Sequence, residues 1–234
     1  MQKLTGTNEI TIIGTVKEEP TLHHTTKDKN FYAFPVSITR SSGTTDEIIV
    51  MVEKEKFDRS LEYTGEKVSI SGHFHSYTTM EENGRRNVSY YVTAKTFELA
   101  KKTDADVNDV YLKGYICRTP YYKKLKQGRE VSEVTLAIPR PSHGSDYIKV
   151  LLWGINARLA TTLEIGTQLT LKGRLQSRVY QKSNGTTSEF SITYYEVSVQ
   201  KIVNFMSKEN AIKEAANRKE IPNSEVQNES EPEN

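Results

Sequence analysis

The sequence is poor in the features that mark several protein classes. No apolar run approaches the roughly 18 residues needed to span a membrane as a helix, and the opening MQKLTGTNEI has no apolar signal core. Cys117 is the only cysteine, so an internal disulfide framework is excluded and a reducing, cytoplasmic setting is expected. A lone thiol with no CxxC or Cys/His cluster also removes the usual structural zinc sites. GxxxxGKS/T, GxSxG and HExxH are missing, and the Ser, His and Asp residues fall in no catalytic pattern, so neither an enzyme nor a cofactor is expected. His73 and His75, or the adjacent His23 and His24, have no convincing third ligand, so no metal is expected. There is one tryptophan, Trp153.

What is present is a repeat. Asn8-Glu9-Ile10-Thr11-Ile12-Ile13-Gly14 aligns with Asn108-Asp109-Val110-Tyr111-Leu112-Lys113-Gly114. Pro20 matches Pro120, Arg40 matches Arg140, Asp46 matches Asp146, and Ile48, Val50, Val52 match Ile148, Val150, Leu152. Val68–Gly72 matches Leu169–Gly173, and Asn83-Gly84 matches Asn184-Gly185. The offset is 100 residues, then 101 after the third strand. Two copies of one domain follow, over 1–102 and 103–206, with Thr103–Val107 as linker.

Each copy reads as strands at 10–16, 31–39 and 46–53 (110–116, 131–138 and 146–153), with a polar loop between the first two. A helical stretch, Lys54–Tyr63 or Ile155–Glu164, comes next. In the latter, Ile155, Leu159 and Leu163 form an apolar stripe. A fourth strand and an Asn-Gly hairpin to a fifth complete the copy. Five strands with a helix between the third and fourth is the OB-fold pattern. The expected fold is therefore all-β, two tandem OB-fold five-stranded barrels. A short helix over Lys208–Glu220 and a disordered acidic tail from Ile221 to Asn234 are expected to follow.

The small net charge of +2 hides an asymmetry. Residues 1–102 hold 14 basic and 14 acidic side chains, 103–206 hold 14 and 9, and 207–234 hold 4 and 7. The second copy is the basic one, as a polyanion binder would be. Its third strand alternates by a period of two: Ile148, Val150 and Leu152 face a core, while Tyr147, Lys149, Leu151 and Trp153 face outward. On its fourth strand Lys172, Arg174, Gln176, Arg178 and Tyr180 share the outer face. Rings stack on bases whatever their identity, and cations follow the phosphates. The loop Arg118-Thr119-Pro120-Tyr121-Tyr122-Lys123-Lys124-Leu125-Lys126 interleaves two rings with four cations. A core aromatic at 153 and a solvated Lys-rich loop are the structural alternatives.

The second copy resembles the bacterial single-stranded DNA-binding protein family, in a tandem OB-fold form. The resemblance spans about 108–202 and is carried by Val134-Thr135-Leu136-Ala137, Asp146–Gly154, and Gly166 through Lys172–Tyr180. It implies base stacking by Tyr147, Trp153 and Tyr180, and backbone contacts by Lys149 and Arg178. Arg140 stands where the family often has a further stacking Trp. A homodimer presenting four OB domains is implied, as are replication or repair proteins as partners. The family's tail ends in acidic residues and an apolar tip. Here Ser230-Glu231-Pro232-Glu233-Asn234 keeps the acidity without the tip, which points away from tail-mediated recruitment.

The first copy differs. Its third strand turns Glu47, Ile49, Met51 and Glu53 outward, an acidic and ring-free set, so weak or no stacking is expected there. Only Tyr77, Arg85 and Arg86 offer a minor contribution. The leading expectation is sequence-independent binding of single-stranded DNA in replication, recombination and repair. The alternatives are an assembly module of a phage or mobile-element replication complex, and an OB-fold nuclease, which would need a carboxylate cluster with an arginine in one pocket.

Overall fold

The structure is a computed structural model that describes residues 7–26, 28–80, 84, 86–141, 144–183 and 189–217. Twelve strands carry it: β1 (Thr7–Val16), β2 (Thr21–Thr26), β3 (Lys29–Thr39), β4 (Thr45–Glu53), β5 (Lys67–Met80), β6 (Arg86–Leu99), β7 (Val107–Ile116), β8 (Tyr121–Lys124), β9 (Glu130–Pro139), β10 (Ser145–Trp153), β11 (Gln168–Ser183) and β12 (Glu189–Met206). The helices are α1 (Ile155–Ala160) and α2 (Lys208–Asn217). The fold is all-β with short helices, as the alternation of apolar residues predicts. The expected tail, from Ile221 onward, lies outside the described residues, as do Arg218–Glu220 of the expected second helix.

Ladder hydrogen bonds close two circuits of five strands. In the first half β1 pairs with β3, β3 with β4, β4 in parallel with β6, β6 with β5, and β5 with β1. In the second half β7, β9, β10, β12 and β11 repeat that circuit. The inward alternates fill the interior: Val50, Val52, Ile148, Val150 and Leu152 are fully buried. Gly173 sits at a bulge where β11 passes beside β12, and a Cβ there would lie 2.4 Å from the Ser198 carbonyl oxygen. Backbone cannot yield as a side chain can. Gly173→Ala is therefore expected to lower stability by roughly 1–3 kcal/mol, read as a lower urea midpoint at unchanged slope.

Three local expectations are corrected. Lys54–Tyr63 is not a helix but a single 3-10 turn, Lys54–Lys56. Asp58 accepts the Ser60 N–H at 2.9 Å and its hydroxyl at 2.7 Å, a local bond that competes with helix. Phe57 and Tyr63 instead close the barrel end against Phe97. In the second half the helix is only Ile155–Ala160, and Ile155 is 73% exposed. Its buried residues are Ala157 and Ala160, one turn apart, so Ile155 is not on the inward face, while Leu163, beyond the helix, packs against the core. The polar loops contain strands, β2 and β8, each paired with the outer edge of its half.

The halves join about a pseudo-twofold axis. β1 and β7 run antiparallel with Ile10 opposite Val110, and these two are repeat equivalents. The axis therefore passes between them, and the contact is isologous within one chain. The pairing makes one continuous twelve-stranded sheet. Asn8 and Asn108 take up the ladder where the first strand of each half leaves its own barrel. Asn8 brackets Phe74 (Nδ2 to O 2.6 Å, N–H to Oδ1 3.0 Å), and Asn108 brackets Leu175 in the same way.

Two buried carboxylates complete the junction. Asp46, fully buried, holds Arg40 of its own half and accepts the Ser177 N–H across the junction at 3.0 Å. Asp146, 1% exposed, holds Arg140 and accepts the Ser76 N–H at 2.8 Å. Ser177 Oγ accepts the Glu47 N–H at 2.9 Å, and Ser76 Oγ accepts the Tyr147 N–H at 2.8 Å. Asp146 differs in also meeting His75 Nδ1 at 2.9 Å.

Candidate nucleic-acid interface

An open groove of about 830 Å³ lies on the outer face of the second half. β10 contributes Lys149, β9 Glu133, β11 Arg178 and Tyr180, and β12 Tyr194, Tyr195 and Glu196. The first half closes one side with Arg86, Val88 and Tyr90 of β6. Alternation explains Lys149 and Glu133: their chain neighbours Ile148, Val150, Ser132 and Val134 are buried, so these two point out of the barrel. Tyr180, 48% exposed, and Tyr194 meet edge to face at 5.3 Å, the diagonal contact that adjacent antiparallel strands allow.

Both central cations are already paired. Lys149 Nζ lies 2.9 Å from Glu133, and Arg178 Nε lies 2.8 Å from Glu196. Glu196 is buried and also accepts from the Gln176 amide at 2.7 Å, so one ion pair and one neutral hydrogen bond hold it. Tyr90 and Tyr195 are repeat equivalents by strand register, and their rings approach to 6.3 Å across the junction. Burial pushes both phenols upward. Tyr195 reaches about 12, with Glu47 and Tyr91 adding to the effect, while Lys149 and Arg118 partly offset the rise at Tyr90. Both therefore stay neutral, as stacking rings should.

The two aromatic residues of β10 flank the groove. Tyr147 is 53% exposed and is anchored through its backbone to Ser76. Trp153 donates its indole N–H to Ser198 at 3.1 Å, and the Arg129 guanidinium lies 5.7 Å from the ring. Ser198 is the ladder partner of Leu151, so the indole leans over that position. Leu151 shares the outer face, as its parity predicts, but it is buried there.

The remaining predicted residues are dispersed. Lys172 and Arg174 lie outside the groove, because β11 is long enough to pass through three environments. Lys172 sits 5.9 Å from the Tyr111 ring, and Arg174 stands at the junction. Burial pushes the Arg174 pKa down, as does repulsion by Arg40, with Asp46 opposing. Arg140 donates to Asp146 and to the Ser76 carbonyl at 2.6 Å and covers Tyr77 at 5.1 Å, so it holds the junction.

β8 splits the predicted loop between two faces. Tyr121 pairs with Glu133 and Lys123 with Val131, which places them on the groove side. Tyr122 and Lys124 alternate to the other side, where Tyr122 donates to Glu130 at 2.7 Å. Arg118 and Lys126 are exposed at either end of this segment. Arg86 lines the groove, and Arg85 lies outside the described residues.

Sequence reasoning missed Tyr90, Tyr194, Tyr195, Glu133 and Glu196. The signal available was a Tyr-Tyr doublet in the fifth strand of each copy, Tyr90-Tyr91 and Tyr194-Tyr195. Among the described residues no group of three or more His, Cys, Asp or Glu is placed to hold a metal ion, and no helix is long and apolar enough to cross a membrane.

Residues 107–204 match the model of the single-strand binding protein family. Among solved structures, a deletion mutant of the single-stranded DNA binding protein from Thermus aquaticus matches at 19% identity with a TM-score of 0.67, covering 85% of this chain and 94% of that one. The wild-type form of that protein matches at 18% identity and the same TM-score, covering 85% and 93%. Comparison with curated proteins gave no match. The basic, ring-lined half of this chain, residues 107–204, is similar to the single-strand binding protein family, and the chain has the fold of the Thermus aquaticus protein.

Proposed function

We propose that this protein binds single-stranded DNA without sequence preference, serving replication, recombination and repair by covering transient single strands. The observation that carries the reading is the groove. It brings Tyr180 and Tyr194 together with Lys149 and Arg178 on one face, flanked along β10 by Tyr147 and Trp153. Bases stack on the rings, and phosphates take the cations from Glu133 and Glu196. Neither interaction reads base identity.

We divide the work at residues 102 and 206. Residues 103–206 supply the main binding face, 1–102 complete one side of the groove and the junction, and 207–234 form an appendage. Tyr121 and Lys123 extend the face at the β8 edge, and Arg118 and Arg86 supply further charge at its margins. A homodimer presenting four such barrels, replication or repair proteins as partners, and a cytoplasmic location complete the proposal.

The test uses Trp153, the only tryptophan, as an intrinsic reporter. Titration with oligo-dT at two salt concentrations is expected to quench its fluorescence, with affinity falling as salt rises. An unquenched Trp153, or an affinity indifferent to salt, would remove this function.

A further inference from the structure

Strand register gives the paired charges of the groove counterparts in the first half. Leu151 pairs with Glu133 and Met51 with Ala33, so Ala33 takes the place of Glu133, and Ile49 that of Lys149. Gln176 pairs with Glu196 and His75 with Tyr91, so Tyr91 takes the place of Glu196, and Tyr77 that of Arg178. Both ion pairs of the groove are thus replaced, one by an apolar pair and the other by two rings.

Those rings belong to a longer series. Tyr77 and Tyr91 lie 5.9 Å apart, and His75 is 6.1 Å from Tyr77. The β2–β3 hairpin brings His23 to 5.1 Å from Tyr91, although β2 is bonded to β3 and Tyr91 stands on β6. His24 follows at 5.1 Å and stacks on Phe31 at 4.8 Å. The outer face of the first half is therefore not free of rings, although its third strand is. The sequence hid this because all six rings come from other strands. Burial lowers the His23 pKa and His24 adds to it, which favours the uncharged ring. Glu53 is neutralised by Lys29 and Lys56. The cation on the series, Arg140, is committed to Asp146.

We propose that Tyr77, Tyr91 and His23 form a second base-stacking track for single-stranded DNA, one that holds bases with little ionic contribution. The track rests on the reading of the groove as a DNA site. Tyr90 lines that groove while Tyr91, next in the chain, points to the opposite face of β6, so a strand rounding β6 passes from one to the other.

The test compares oligo-dT short enough for the groove alone with oligo-dT long enough for both halves, on the full chain. In the Tyr77→Ala/Tyr91→Ala variant and in His23→Ala, short-oligo affinity and Trp153 quenching are expected to match the parent. Long-oligo affinity falls, on the order of tenfold or more for the double variant. The slope of log affinity against log salt stays at the parental value, whereas Lys149→Ala/Arg178→Ala reduces it. In the unaltered protein, photo-cross-linking with a bromodeoxyuridine oligomer should place adducts on Tyr77, Tyr91 or His23. Unchanged long-oligo affinity in both variants, or adducts confined to the second half, overturns the track. Failure of the short oligomer on the unaltered protein overturns the groove reading instead.

Discussion

Tyr180→Ala and Tyr194→Ala should each weaken oligo-dT binding by about 1–3 kcal/mol, with the double variant losing less than the sum. Each ring is nearly half exposed, and each supports the other edge to face at 5.3 Å. Removing one frees its partner to rotate, so much of the loss appears in the first substitution. Tyr147→Ala should cost a similar amount, because its ring is exposed while its backbone stays fixed by Ser76. Trp153→Ala removes a ring and also uncovers Leu151, so it should lower stability as well as affinity. The first half supplies the controls. Glu47→Ala and Glu53→Ala should leave binding unchanged or strengthen it, the latter by releasing Lys29 and Lys56. Fluorescence titration at fixed salt separates these outcomes. Parental affinity in the Tyr180/Tyr194 double variant would sink the stacking mechanism.

The inward alternation was legible because a barrel interior tolerates only apolar side chains at every second position. Ile48, Val50, Val52 and Ile148, Val150, Leu152 therefore read the same in both copies and in the structure. The repeated Asn at 8 and 108, and the repeated Arg and Asp at 40 and 46 and at 140 and 146, were also visible. Their purpose was not, because each acts on strands far away in the chain. Asp146 reaches His75 and Ser76 across roughly 70 residues, and no local period encodes that. The groove shows the same limit. Parity placed Lys149, Arg178 and Tyr180 on an outer face, but it also placed Lys172 and Arg174 there. A long, twisted, bulged strand separates residues that share parity, and only the pairing register shows where they diverge. The carboxylates opposite Lys149 and Arg178 went unseen for the converse reason, since each stands on the neighbouring strand.

The junction carries the other large effect. Asp146→Ala should destabilise the chain by about 1–3 kcal/mol, since it leaves both the partly buried Arg140 guanidinium and the Ser76 N–H without their acceptor. Burial alone would raise the Asp146 pKa. Hydrogen bonds from His75, Arg140 and the Ser76 backbone outweigh it, so the net value is lowered. The sign follows from linkage. A carboxylate with a depressed folded pKa contributes stability above its unfolded value of about 3.9, and that contribution is lost as pH falls through the folded value. Urea unfolding of the parent should therefore show a steep loss of stability below about pH 4. In Asp146→Asn that loss should be shallower, starting from a lower plateau at neutral pH. An Asp146→Asn curve parallel to the parent would mean that this carboxylate does not govern the acid limb. Because Tyr147 hangs from Ser76 Oγ, the same substitution should also loosen the first ring of β10 and weaken oligo-dT binding at neutral pH, where the fold persists. That ties the junction between the halves to the face proposed to meet DNA, through one serine.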